Sequence, residues 1–412
     1  MALTTNERLT SEHWRRRALL LLFRARKSND ANFKGRCNLL ARACMAKYAT
    51  IVFEPADFKL PRPPRLDRTI ESFTESECWN FFETRKADLY RLLRAFRLPD
   101  KCVLENGTAM SGEEVMLRAL YELVSGEDQY TIAQNVFGRD QSDQSRAYKY
   151  FVDLIYAQHN YLVTDNLEWW FENGFIEESR QAITKKLAEL GLLYRNPETD
   201  QEVAGFIDCN CMETARVGGG PIGEGPDAER WIDLIQRAFY NGWKSVHGLK
   251  HQTIDSAHGL TMHMYGPTSL RRNDLRLLSK SELNDKLAAL SMQYNQICRV
   301  YGDSIYPHLS NVFSMHRGDW NALSLAKRLE NNIRKSVRVS IEWNYGVTSN
   351  LYGYMKNLNK LRLLGNSNVS KIYTVATLLR NCHITLYGGI SSGYFNIKMP
   401  EDMLERYMRV VH

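Results

Sequence analysis

The sequence predicts an α/β protein: a mixed sheet with flanking helices, preceded by an α-helical N-terminal region. Three observations carry this. From residue 176 onward, short strand-like apolar runs alternate with helical runs. Between 69 and 160 the apolar residues recur at helical spacing. The composition, 44% hydrophobic and 25% charged over 412 residues, is that of an ordinary globular chain long enough for two or three domains.

Taken in order, residues 12–27 ("EHWRRRALLLLFRARK") read as a basic helix with an apolar centre. The apolar run "ALLLLF" (18–23) is too short for a membrane span or a signal-peptide core, and arginines flank it. Residues 1–50 hold eleven Lys/Arg and three Asp/Glu, so +8 sits in this arm and, with a total of +7, the remainder sums to about −1. A basic arm on a near-neutral body fits a polyanion partner, nucleic acid first, and equally a solvated basic helix. The clusters "RRR" and "RARK" also fit nuclear import. Four of the eleven prolines fall in 54–68, which predicts an extended linker. Four regions follow: a basic helical arm (1–60), linker and helix (61–100), a helical block (101–175), and an α/β domain (176–400).

In the helical block, Ser111 and Glu114 make a capping-box pattern, and Gly126 suits the stop. A short helix "DQYTIAQNVFG", a turn, and a longer helix "SDQSRAYKYFVDLIYAQH" follow. That order predicts a helix-turn-helix, either a DNA reader or a packing unit. In the α/β domain, "IEESRQAITKKLAELG" is a helix and "EVAGFID" (202–208) a strand. "SVHGLKHQTID" and "LTMHMYG" form a hairpin, "SKSELNDKLAALSMQY" a helix, and "ICRVYGD" a fourth strand. A long helix lies within "ALSLAKRLENNIRKSVRVSIEWNYG".

Asp208 ends the first strand and Asp303 the fourth. In open α/β sheets ligands gather beyond the carboxyl ends of strands. Taken alone, a strand-end Asp in "YGDS" is a turn residue. Glu342 shares a helical stripe with Arg334 and Arg338, which alone reads as a surface ion pair. Together, Asp on strand one, Asp on strand four and Glu on the next helix form the RNase H-like nuclease layout. Oxygen-only donors suit Mg²⁺ or Mn²⁺, and two ions can share three carboxylates.

The segment "FYNGWKSVHGLKHQTIDSAHGLTMHMYGPTSLRRNDLRLLSKSEL" resembles the middle of a Harbinger-type (PIF/Harbinger) transposase endonuclease domain, a DDE-type nuclease. "YGDSIYP" and "SVRVSIEWNYG" resemble its later acidic motifs, and "ATLLRNCHITLYG" its closing helix. The likeness spans roughly 170–400, and with the helix-turn-helix block reaches back to about 100. It implies that Asp208, Asp303 and Glu342 are catalytic, metal-binding carboxylates, with Asp274 at a fourth acidic position. It implies two Mg²⁺ or Mn²⁺ ions, cleavage at terminal inverted repeats, and strand transfer into target DNA. It also implies a Myb-like DNA-binding partner; a homodimer is expected because two ends must be handled together, and a nuclear location is expected alongside the basic clusters. Two positions depart from the family pattern: the first Asp stands in "DCNC", followed by Cys-Asn-Cys, and Asn273 precedes Asp274. A second reading is a domesticated DNA-binding or scaffold protein that no longer transposes.

Other residues were weighed beside these. Lys244, Lys250, Arg271, Arg272 and Arg338 are candidate DNA-phosphate contacts or simply solvated cations. His247, His251, His258 and His263 cluster in sequence. On a strand, however, His247 and His251 lie about 13 Å apart, too far for one zinc ion. None of the eight cysteines forms C-x-x-C, so free thiols in a reducing compartment are expected. Cys209 and Cys211 read as packing residues. "VGGGPIGEG" (217–225) lacks the P-loop ending and reads as a flexible loop.

Overall fold

The computed structural model describes residues 5–28, 30–52, 68–192, 202–217, 226–363 and 368–409. The chain divides into two units, residues 1–64 and 65–412. All of the proline-rich linker but Arg68, and all but Val217 of the glycine-rich loop, fall outside the described residues. Among the described residues no helix is long and apolar enough to cross a membrane.

The first unit is a helical hairpin, α1 (Thr5–Lys27) and α2 (Ala31–Val52). The basic helix is as expected; α2 is an addition. Small residues let the two helices approach closely: Ala18, Ala25, Cys37, Ala41 and Cys44 are buried. The Asp30 carboxylate caps α2 by accepting from Asn32 N at 2.8 Å.

The second unit begins with a helical block. The stretch expected as one helix is two, α3 (Glu75–Phe82) and α4 (Lys86–Ala95). Left-handed Glu83 (φ 51°) separates them, a break that apolar periodicity does not reveal. Two short strands, β1 (Lys101–Val103) and β2 (Ala109–Ser111), pair as a hairpin. They lead into α5 (Gly112–Ser125), which Ser111 caps through Glu114 N at 3.1 Å. Gly126 ends it at φ 65°, where a side chain would also strike the backbone of Gly353. The short helix α6 (Gln129–Ile132) runs into a π turn to Phe137, and α7 (Gln141–His159) follows. α7 packs against α5, and a buried cluster joins the block: Arg139 donates to both Glu114 oxygens, and Arg118 to Glu114 and Gln144. Helices α8 (Tyr161–Thr164), α9 (Leu167–Glu172) and α10 (Phe175–Glu189) lead to the sheet.

The sheet contains β3 (Val203–Glu213), β4 (Tyr240–Asn241), β5 (Val246–Ser256), β6 (Thr261–Ser269), β7 (Arg299–Tyr301) and β8 (Val312–Phe313). Its main order is β6–β5–β3–β7–β8, with β4 also paired to β5. β5 runs antiparallel to β3 and β6, whereas β3, β7 and β8 are parallel. The sheet is therefore mixed, as expected, with β8 added at one edge. Helix α11 (Pro226–Phe239) follows the glycine-rich loop; α12 (Asp274–Ser281) and α13 (Leu283–Gln293) replace the single helix expected there, split at left-handed Glu282. The long helix α14 (Leu325–Leu351) is followed by α15 (Val369–Tyr387), α16 (Ile390–Tyr394) and α17 (Met403–Met408).

One face of the sheet packs Phe206, Tyr301 and Phe313 against Ile183 and Leu187 of α10 and Val337 and Ile341 of α14. A buried polar network fastens α14 to the β5–β6 hairpin. The Asp255 carboxylate accepts from Thr261 Oγ1 at 2.7 Å and Asn344 Nδ2 at 2.8 Å. Arg380 of α15 donates to Thr261 Oγ1 and to the Asn344 carbonyl. Burial raises the pKa of Asp255, and Arg380, Asn344 and Thr261 hold it down. Arg380→Met is expected to destabilise the protein by roughly 3–5 kcal/mol, because a buried charge loses its compensation. Urea denaturation measures this, and a change below about 1 kcal/mol would contradict it.

Candidate active site

Backbone pairing determines which side chains meet. Phe206 of β3 pairs with Tyr301 of β7 in parallel register, and both face α14. Side chains alternate along a strand, so the next β3 residue on that face is Asp208, while Asp303 follows Tyr301 by two residues and its charge acts, with that of Asp208, on Arg338 of α14. Asp208 was expected at a strand end but sits in the middle of β3, which runs on to Glu213. Asp303 lies two residues beyond β7.

The turn that holds Asp303 is built from its neighbours. Gly302 N donates to Phe313 O at 2.9 Å, extending the pairing with β8 by one residue. A Cβ at Gly302 would come within 2.5 Å of the Tyr306 ring and 2.9 Å of Ile207, so the close approach requires glycine. Ser304 N donates to Asp303 Oδ1 at 2.6 Å, and Tyr306 N to Asp303 O at 2.9 Å. Buried Tyr306 then reaches Cys209, with its hydroxyl 3.4 Å from the sulfur, beside Asp208. The turn thereby braces the adjacent strand.

Arg338 of α14 sits between two of the carboxylates. Its Nη1 donates to Asp208 Oδ2 at 2.8 Å and its Nη2 to Glu342 Oε1 at 2.9 Å. Burial lowers the Arg338 pKa, but Asp208, Glu342 and Asp303 together outweigh burial and raise it. All three carboxylates therefore act on one guanidinium. Asp208 is itself pushed up by burial and by Asp274, against the pull of Arg338 and the Cys209 N–H. Asp274, in the first turn of α12, accepts from Lys250 Nζ at 2.7 Å.

A cleft of about 610 Å³ opens here. Asp208, Asp274 and Glu342 line it, as do Lys244, Lys250, Arg271 and Arg272. Lys244, Arg271 and Arg272 are exposed, whereas Lys250 and Arg338 are buried against carboxylates. Ile305, two residues past Asp303, also lines it. Among the described residues, no three His, Cys, Asp or Glu side chains converge tightly enough to grip one ion. The donors nonetheless fit a hard divalent cation: they are all oxygen, and they already hold cationic charge in Arg338.

The residues that depart from the family pattern have structural partners. Asn273 caps α12 by accepting from Arg276 N at 3.0 Å. Asn210 donates to the Tyr373 hydroxyl at 2.5 Å, and burial pushes the Cys209 thiol far up, away from thiolate. Two cleft features were not read from the sequence. Tyr345, three residues after Glu342, has its hydroxyl 2.7 Å from Thr253 Oγ1, and Thr253 is the cross-strand neighbour of Asp208. Trp243 also lines the cleft. The Glu342 i+3 spacing was the available signal for Tyr345.

The histidines serve packing. The His251 ring lies 4.7 Å from that of Tyr373, and His258 Nε2 is 3.1 Å from Glu178. Burial pushes His251 down to about 3; burial, then Lys286, takes His263 to about 4.

Residues 226–381 match the family model described as DDE superfamily endonuclease. The match contains Asp274, Asp303 and Glu342; Asp208 and the whole of β3 lie outside it. It supports a DDE transposase-like nuclease domain, for which DNA is the implied substrate. No curated protein and no solved structure matches the chain.

Arg338→Met is expected to cost roughly 3–5 kcal/mol in urea denaturation without divalent ions, since Asp208 is left buried and uncompensated. Glu342→Gln, at a half-exposed position, is expected to cost under about 1 kcal/mol; equal losses would contradict the assignment. The buried histidines give a second outcome. Their folded pKa values lie below the ordinary value of about 6.5, so the unfolded chain binds protons first. Their contribution is full above that value and is lost as pH falls toward 4. His251→Phe is expected to flatten this acid limb in urea midpoints between pH 7 and 4.5; an unchanged slope would count against it.

Proposed function

We propose that residues 176–400 form an RNase H-like nuclease domain of the Harbinger type, and that the protein cleaves and joins DNA as a transposase. The observation that carries this reading is the parallel pairing of Phe206 with Tyr301. It brings the β3 segment with Asp208 beside the β7 end that leads to Asp303, and the charges of both act on Arg338 of the helix that carries Glu342. The strand order supports it as well. Numbering the five main strands by their place in the chain, with two-residue β4 left out, the sheet reads 3-2-1-4-5, with only the second reversed.

In this reading Asp208, Asp303 and Glu342 hold Mg²⁺ or Mn²⁺, with Asp274 as a fourth candidate. Such ions supply charge stabilisation to the attacking and leaving oxygens of an in-line phosphoryl displacement. The chain's own groups do the rest. Arg338 fixes the rotamers of Asp208 and Glu342 by donating to both. Lys250 orients Asp274. Lys244, Arg271 and Arg272, exposed at the cleft, bind phosphates of the DNA backbone and set its register. The block 101–175, with α6, a turn and α7, serves as a helix-turn-helix that adds DNA contacts, and the basic arm adds a further electrostatic hold. A homodimer would handle two inverted-repeat ends, with a Myb-like partner in the nucleus. The second reading, a domesticated DNA-binding or scaffold protein, is favoured by the Arg338 double ion pair, which engages two of the three carboxylates.

The test is nicking of supercoiled plasmid by the full-length protein with Mg²⁺ or Mn²⁺. Nicking is expected to need the metal and to fall at least about 100-fold in Asp208→Asn, Asp303→Asn and Glu342→Gln, since each removes several kcal/mol of transition-state stabilisation. Nicking that survives Asp303→Asn overturns the site assignment. Tight DNA binding with no cleavage in either metal favours the scaffold.

A further inference from the structure

Trp243 is 95% exposed. An indole is the largest apolar side chain a protein can bury, and Trp is enriched where surfaces bind partners. A mobile loop tip would explain such exposure, but this loop is fastened. It is the four-residue connection between β4 and β5, closed by the pairs Asn241–Val246 and Tyr240–His247. The Asn241 side chain accepts from Trp243 N and Lys244 N, both at 3.0 Å, and donates to Leu270 O at 3.0 Å at the end of β6. The indole is thus displayed from a pinned turn.

Its surroundings identify what it is displayed to. Trp243 lines the same cleft as Asp208, Asp274 and Glu342. Lys244, Arg271 and Arg272 line it too, are exposed, and make no ion pair among the described residues. The acidic groups of the cleft have their own cations: Arg338 serves Asp208 and Glu342, and Lys250 serves Asp274. The three remaining cations are left for an external anion. Phosphates with an aromatic face beside them make up the chemistry of a nucleotide. Bases inside a duplex already stack on both faces, so only an unpaired or extruded base presents a face to an indole.

We propose that Trp243 is a base-stacking residue that takes an unpaired nucleobase of the DNA strand whose backbone enters the carboxylate cleft, with Lys244, Arg271 and Arg272 on the flanking phosphates. The substrate class follows: DNA that is single-stranded or opened beside the bond to be cut. This rests on the nuclease reading of the cleft.

The test is fluorescence anisotropy of the full-length protein in EDTA, where metal-dependent cutting is suppressed. The probes are a labelled dT20 strand, a 20-bp duplex, and that duplex with a two-nucleotide single-stranded flap. Trp243→Ala is expected to weaken dT20 and the flapped duplex by about 5- to 150-fold, the range for one base–aromatic stack, and the plain duplex by less than about 3-fold. Trp243→Phe, which keeps an aromatic face, is expected to recover most of the loss. Equal weakening of all three probes overturns the proposal in favour of a general electrostatic or structural role. Unchanged DNA binding overturns it and leaves the nuclease reading standing where Asp303→Asn abolishes nicking. If Trp243→Ala instead changes oligomeric mass without changing DNA binding, the indole is a protein contact. Wild-type protein that neither binds nor nicks DNA removes the nuclease reading, and this inference with it.

Discussion

The candidate site depends on the parallel contact between β3 and β7. Phe206 opposite Tyr301 fixes the register; strand alternation then carries Asp208 to the face of α14, and the turn after Tyr301 carries Asp303 near enough for its charge to act on Arg338. A slip of one residue would send Asp208 to the opposite face. Three features hold the register. Gly302 permits the close approach of Tyr306 and Ile207, Tyr306 reaches across to Cys209, and the apolar residues of α10 and α14 cover the pair.

The second constraint is electrostatic. Three carboxylates, Asp208, Asp274 and Glu342, share one cleft, and like charges at that density repel unless neutralised. The structure meets this with buried cations, Arg338 against Asp208 and Glu342 and Lys250 against Asp274. The same cations orient the carboxylates. Deeper in, the Asp255, Asn344 and Arg380 network locks α14, the helix bearing Arg338 and Glu342, to the β5–β6 hairpin. Tyr345 adds a pin at Thr253, directly across from Asp208.

Much of this was legible in the sequence. Alternating apolar runs marked β3, β5, β6 and β7, and the helical stripe through Arg338 and Glu342 marked α14. What was missed has identifiable causes. β8 is two residues long and carries almost no periodic signal. Left-handed Glu83 and Glu282 break helices without glycine or proline to announce it. The extension of β3 past Asp208 begins "CNC", whose residues line a cleft, and lacks the apolar alternation that marks a strand. Lys250 was read as a phosphate contact or a solvated cation; it is buried against Asp274, and neither pairing nor burial can be read from a lone lysine. Trp243 stood in plain view beside Lys244, but only the fold shows that the indole is uncovered.

The central claim is that Asp208, Asp303 and Glu342 form a divalent-cation centre. Anomalous diffraction from Mn²⁺-soaked crystals tests it most directly. Manganese density against the Asp208 and Asp303 carboxylates, with the Arg338 guanidinium drawn back from Asp208, is the expected result. Crystals with no manganese at those carboxylates, and Arg338 still bridging Asp208 and Glu342 at saturating Mn²⁺, would contradict it.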